Sequence, residues 1–283
     1  MRIYSIETGN FKLDGGAMFG VVPKTIWQKT NPSDSKNRIS MAARSLLIED
    51  GKRLTLIDTG LGNKQDDKFF RHYGLWGSFS LDSSLKSIGF EREDITDVFL
   101  THLHFDHCGG AVMYNSSGLL VPSFKNAVYW VHKDHWHCAN NPNIREKASF
   151  IKENIAPLKS SGQLDFIEKV EPVLTNTSCG FDIILVDGHT EKQMLPVIKY
   201  KGQTIVFAGD LIPTSGHIPV PYIMSYDTRP LITLKEKSFF LNKAHENNWS
   251  LFLEHDPYNE LVFLKKTDKG IRLDYSTTIK ENF

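Results

Sequence analysis

Cysteine is scarce and shows no pairing pattern: Cys108, Cys138 and Cys179 are odd in number and form no CxxC. That argues against a disulfide framework and against a thiolate zinc site, and it points to a reducing, intracellular setting. Net charge is missing as well. The 33 Lys and Arg balance 33 Asp and Glu, so no field gathers nucleic acid or an anionic membrane surface, and a small, roughly neutral molecule suits the chain better. No apolar run approaches the roughly 18 uncharged residues of a membrane span. The opening MRIYSIETGNFKLDGG has no apolar stretch of signal-peptide length and reads as a strand. A soluble, cytoplasmic protein is therefore expected. Low-complexity tracts, internal repeats and Pro/Gly/Ser-rich linkers are also absent, which leaves one domain over residues 1–283 as the expectation. A chain of that length buries a sizeable core without disulfide or metal staples.

Short apolar runs that end abruptly in polar or glycine residues are plentiful. SLLIED from Ser45, RLTLIDTG from Arg53, DVFLTH from Asp97, AVYWVH from Ala127, DIILVDG from Asp182, TIVFAGD from Thr204 and SLFLEHD from Ser250 have the length and β-branched or aromatic content of buried strands. Polar, helix-compatible stretches lie between them, such as Asp82 to Gly89, Arg145 to Gly162 and Leu231 to Asn248. Alternation of the two makes the class α/β. LTLIDTG and TIVFAGD share a pattern, an apolar strand closed by a carboxylate and a small residue, which suggests two similar halves.

Directly after the run DVFL, the segment Thr101-His-Leu-His-Phe-Asp-His-Cys-Gly-Gly110 places His102, His104, Asp106 and His107 within six residues. Packing does not explain such density at a strand end. Residues two apart in an extended chain project to one side, so His102 and His104 can share an ion. If the chain then turns into a helix, Asp106 and His107 occupy its first turn and can point to a second ion, with Gly109 and Gly110 allowing close packing. A lone buried histidine is ordinarily a core residue; four such groups in this alternation point to metal. Nitrogen and oxygen donors without cysteine suit zinc, and manganese, iron and cobalt stay open. His189, Asp210 and His255 each follow another apolar run. Singly each is ambiguous, since a strand-terminal Asp commonly serves a turn or helix cap, but together they supply the donor count that two ions need.

HLHFDH resembles the HxHxDH signature of the metallo-β-lactamase superfamily, and His189, Asp210 and His255 follow in the order that superfamily uses. The resemblance implies an αβ/βα sandwich with two mixed sheets. It implies that His102, His104 and His189 hold one metal, Asp106, His107 and His255 a second, and that Asp210 bridges them. Two such ions, about 3.5 to 4 Å apart, bring a shared water to a pKa of about 7, so that hydroxide cuts the bond without a protein nucleophile. Asp106 is then placed to carry the proton to the leaving group.

The superfamily's branches separate on features of this chain. Diiron redox members resemble HxExD at the second position, where this sequence has His104. Glyoxalase II-type thioesterases carry a helical domain beyond the last ligand histidine, and only Asp256 to Phe283 follow His255 here. Nucleases add large inserts or basic arms, and β-lactamases proper replace or omit the bridging aspartate. LDGGAMFGVVPKTIW from Leu13 and AGDLIPTSGHIPVPYIMSYD from Ala208 resemble the branch of quorum-quenching N-acyl-homoserine lactonases and methyl-parathion-hydrolase-like enzymes. The expected activity is lactone-ring opening, with phosphotriester or aryl-ester hydrolysis, or a broad-specificity esterase, as the alternative. A metal-binding regulatory protein without turnover is the competitor from outside the enzymes, and the full ligand set argues against it. Relatives of this branch imply a homodimer by analogy.

Gly15 and Gly16 form a turn after which Met18, Phe19, Val21 and Val22 offer an apolar surface to an acyl chain, or else pack as an ordinary hairpin. Trp27, Phe69, Phe70, Tyr73 and Trp76 either wall a pocket or cover a helix. Some lactonases of the branch have a tyrosine three residues after the bridging aspartate; that position is Pro213, and Tyr222 or His217 is the expected replacement donor. His132, His135 and His137 read as a helix start rather than a ligand set. Asp58 and Thr59 are expected to brace the metal ligands from behind, and Cys108 to be a small buried residue.

Overall fold

The apolar runs become strands in the computed structural model, which describes residues 1–283. The chain folds as two units, one of residues 1–11 and 42–169, the other of residues 12–41 and 170–283.

The first unit is built on β1 (Arg2–Asp14), β2 (Arg38–Asp50), β3 (Arg53–Ile57), β4 (Asp97–Phe99), the small hairpin β5 (Val112–Tyr114) and β6 (Leu120–Pro122), β7 (Val128–His132) and β8 (Leu164–Ile167). The ends of β1 and β2 nearest their connection, residues 12–14 and 38–41, belong to the other unit. The main sheet runs β1-β2-β3-β4-β7-β8. Strands β2 and β3 are antiparallel, while β3, β4, β7 and β8 are parallel. Parallel neighbours need crossovers, and helices Asp67–Tyr73 and Leu81–Ser87 lie between β3 and β4. Both start on side-chain caps: Asp66 accepts from Phe69 N, and Ser80 forms a capping box with Ser83. Leu56, Val98, Tyr129 and Val131 join Leu85, Phe124 and Leu158 in one apolar core.

The second unit holds β9 (Val173–Leu174), β10 (Asp182–Val186), β11 (Gln193–Tyr200), β12 (Gln203–Phe207), β13 (Ser250–Phe252), β14 (Leu261–Thr267) and β15 (Gly270–Thr277), ordered β15-β14-β13-β12-β11-β10-β9. Only β12 and β13 pair in parallel. The helix Pro230–Glu246 makes that crossover and buries Phe240, Leu241 and Ala244 against Val206 and Leu251. Strands β5, β6, β8, β9, β11, β14 and β15 go beyond the sequence expectation. Strand β11 forms despite Pro196, which lies opposite Ile183 but beyond the last pair of the β12 ladder, Val197 with Val206. The last residues form the hairpin β14–β15, turned at Gly270 with φ 93°. No helix is long and apolar enough to cross a membrane.

Candidate metal centre

In the first unit the expected ligands follow β4. His102 and His104 keep extended backbone, and His104 starts the single helical turn Phe105–Cys108 that carries Asp106 and His107. All four are buried. The turn is held by close backbone approach: a Cβ on Gly109 would stand 2.0 Å from Leu61 O, and one on Gly110 would stand 2.2 Å from Thr59 O. Thr59 adds two donors to the His107 carbonyl, N at 2.8 Å and Oγ1 at 2.9 Å.

Asp58, immediately after β3, is fully buried and adopts φ 55°, a left-handed conformation uncommon outside glycine. Its carboxylate accepts from Thr101 N at 2.8 Å and Thr101 Oγ1 at 2.6 Å, and lies 3.1 Å from His107 Nδ1. Because the Thr101 hydroxyl proton is committed to Asp58, its oxygen accepts from His102 Nδ1 at 3.1 Å. These bonds assign the ring protons of His102 and His107 to Nδ1 and leave both Nε2 lone pairs available. His104 directs Nε2 toward Glu146, 3.7 Å away, and presents Nδ1 at 3.1 Å from His102 Nε2. The bracing expected of Asp58 and Thr59 is thus present; the part of Glu146 was not readable from sequence.

The second unit repeats the device. His189 follows β10, Asp210 lies in a tight turn after β12, and His255 follows β13, all buried. Asp227 accepts from His189 Nδ1 at 3.0 Å, which turns His189 Nε2 toward Asp210. Asp210 places one oxygen 3.1 Å from His189 Nε2 and the other 3.1 Å from His255 Nε2. Burial disfavours a charged His189 ring, but the carboxylates of Asp210 and Asp227 outweigh it and hold its pKa up at about 10. A pocket with this excess of carboxylate attracts positive charge.

The donor chemistry fits divalent metal. Two donors placed about 2.0–2.1 Å from one tetrahedral ion lie about 3.3 Å apart, close to the 3.1 Å between His102 Nε2 and His104 Nδ1 and between Asp210 and each of its histidines. The tautomers of His102 and His107 are those that ligation requires, each set by a bond at Nδ1.

Other expected residues divide. His217 is overturned as a substrate donor: its ring is buried, with Nε2 donating to Met18 O at 2.8 Å and Nδ1 accepting from Thr214 Oγ1 at 2.8 Å. Burial, with the Lys237 charge adding to it, pushes its pKa down to about 3, so it has no proton to offer a ligand. Met18 and Phe19 are corrected too. They lie in the helix Gly15–Phe19, both enclosed, and the Phe19 ring stacks on His217 at 4.2 Å and on Trp27 at 5.5 Å. The expected apolar surface is packed interior. Tyr222 is half-buried and lines a recess with Ser215, Ile218 and Arg272, its hydroxyl free of protein partners.

His132 caps the helix Lys133–Asn140 and His135 accepts from Leu103 N at 2.8 Å, so that cluster supports the ligand segment without ligating. Tyr73 packs on Phe105 at 4.7 Å, and burial together with the Asp106 charge pushes its phenol up to about 12. Cys108 donates to Leu103 O, and burial raises its thiol to about 12, which leaves it inert as a nucleophile.

A family model described as the metallo-β-lactamase superfamily matches residues 41–277. A probable metallo-hydrolase of Mycobacterium tuberculosis is 22% identical over 249 residues, 77% of this chain and 76% of its own. Among solved structures, a probable metal-dependent hydrolase from Staphylococcus aureus shares 29% identity with a TM-score of 0.86, over 98% of this chain and 96% of its own. AidC, a dizinc quorum-quenching lactonase solved with a homoserine product, shares 24% identity with a TM-score of 0.79, over 97% of this chain and 94% of its own.

Proposed function

Because this chain belongs to the metallo-β-lactamase superfamily, has its fold and is a metal-dependent hydrolase, we propose that it opens the lactone ring of N-acyl-homoserine lactones using two divalent ions. His102, His104 and His189 would hold one ion, Asp106, His107 and His255 the other, and Asp210 would bridge them. The observation that carries this is the Asp210 carboxylate, whose two oxygens address two different imidazole nitrogens at 3.1 Å each. A capping or packing role gives no reason for that division, whereas a bridging ligand requires it. When bound, the ions supply a hydroxide at neutral pH and polarise the carbonyl under attack.

The chain's own residues do the rest. Asp58 and Asp227 hold the Nδ1 atoms of His107 and His189, which face away from the ions, so that these imidazoles are oriented before any ligand arrives, and Glu146 stands 3.7 Å from His104 Nε2. Asp106, whose carboxylate lies 3.9 Å from His107 Nε2, would take up the proton released on attack and deliver it to the leaving ring oxygen. Tyr222, with its free hydroxyl, donates to the substrate carbonyl in place of the tyrosine that Pro213 replaces. Zinc is the default ion for this donor set; the odd number of cysteines, with no CxxC, supports a cytoplasmic setting, and analogy with the branch supports a homodimer.

The lactone is favoured by the resemblance of residues 13–27 and 208–227 to the lactonase branch, and by likeness to AidC, which binds such a product. The test is to compare kcat/KM on an N-acyl-homoserine lactone, a phosphotriester, an aryl ester and a glutathione thioester. The lactone is expected to lead by at least tenfold, and Tyr222→Phe is expected to lower its kcat/KM about tenfold, one lost hydrogen bond. A phosphotriester turned over orders of magnitude faster overturns the lactone assignment.

A further inference from the structure

The first unit holds a recess of about 290 Å3 apart from the ligand cluster, near the lower bound of small-molecule sites at roughly 300 Å3. Leu75, Trp76, Phe79 and Val112 give it an apolar side, and Leu75 and Phe79 are about half exposed, at 51% and 54%. Its polar side has two buried groups without partners, on Ser123 and Arg92, beside the Asn10 side-chain amide. Asn10 is only 7% exposed, yet its side-chain amide makes no hydrogen bond within the protein. Ser123, 6% exposed, has an unpartnered hydroxyl. Arg92 binds Asp82 through Nε and Nη2, but its buried Nη1 has no partner. Buried polar groups are almost always paired, so two unpaired ones around one recess, with the Asn10 amide beside them, point to an occupant that pairs them.

We propose that this recess is a second, unassigned binding site, for an uncharged amphipathic molecule with an amide or similar carbonyl group at one end of a short aliphatic or aromatic body. The Asn10 amide supplies a donor and an acceptor, and Ser123 and Arg92 supply donors toward a carbonyl oxygen. Asp82 offsets the Arg92 charge, and Asn10 and Ser123 carry none, so nothing in the recess favours an ion. Gly77, at φ 81°, keeps room for the amide, because a Cβ there would stand 2.9 Å from Asn10 Nδ2. The floor includes Thr59 and Gly110. Since Thr59 clamps the His107 carbonyl, an occupant rests behind the ligand-bearing segment.

Titration of 15N-tryptophan-labelled full-length protein with octanamide tests this. Trp76 lines the recess and donates its indole N–H to Phe11 O, so its signal, assigned by its loss in Trp76→Phe, should shift saturably. Octanoate should bind at least tenfold more weakly. Asn10→Leu should weaken octanamide at least tenfold while the other four indole signals keep their positions. Met113→Trp, which fills the recess from a half-buried position, serves the same purpose if Asn10→Leu does not fold. No saturable shift at Trp76, octanoate binding as tightly as octanamide, or an unchanged titration in the folded variants would overturn the proposal.

Discussion

Asp58 joins three contacts in one carboxylate: two bonds from Thr101 and one at His107 Nδ1. Through Thr101 it also sets the proton of His102. Asp58→Asn keeps the shape and tolerates the positive φ, but its amide half cannot accept, so one histidine loses its orientation. Metal affinity is expected to fall about 10- to 100-fold, read by competition with a chromogenic chelator, while the far-UV spectrum is unchanged. Asp227→Asn should act likewise through His189. The candidate ligands were legible because imidazole and carboxylate are costly to bury without purpose, and four of them occupy one six-residue run. Asp58 was legible for its place at a strand end. Asp227 and Glu146 were not, because a solitary acidic residue in a loop carries no mark of the histidine that folding brings to it. His217 misled for the opposite reason: a histidine in a glycine- and proline-rich loop reads as accessible, and the Phe19 stack that encloses it comes from nearly two hundred residues away, as its bond to Met18 O shows.

At the scale of elements, the seam between residues 58–62 and 107–110 depends on glycines. Gly110→Ala puts a methyl within 2.2 Å of the Thr59 carbonyl, a backbone atom that cannot turn aside. A loss of on the order of 1–3 kcal/mol is expected from such overpacking, measured as a lower urea midpoint with unchanged slope. The turn Ser215–His217 and the helix Gly15–Phe19 are tied by the His217 ring. Its pKa is about 3 when folded, against an ordinary value near 6.5. Between those values the unfolded chain binds a proton that the folded chain refuses. Stability is therefore complete above pH 6.5 and falls as pH drops toward 3. In His217→Gln this part of the acid sensitivity should be absent, visible as a shallower dependence of unfolding free energy on pH from 6.5 to 4. Strands flanked by clear breakers were legible; β11 was masked by Pro196, β14 by Lys265 and Lys266, and β15 by its exposed polar residues.

At the scale of the whole molecule, the candidate ligands and the residues that brace them lie where strands end. Asp58, His102 and His135 follow the C-terminal ends of the parallel strands β3, β4 and β7, and Asp210 and His255 follow those of the parallel pair β12 and β13. Ligands of open α/β sheets collect at such ends. That arrangement was legible from the apolar runs and what closes them. The substrate was not, because no residue pattern in the sequence fixes the shape of a pocket. Removal of metal by a chelator should lower the melting temperature, and added zinc should restore it, since an ion bound only by the folded chain stabilises it. The most direct measurement is metal content beside activity for the purified protein and Asp210→Ala. About two divalent ions per chain are expected for the native protein, with clearly fewer ions and at least a hundredfold lower hydrolysis for Asp210→Ala. A native protein that hydrolyses its substrate at full rate with no metal bound would contradict the account.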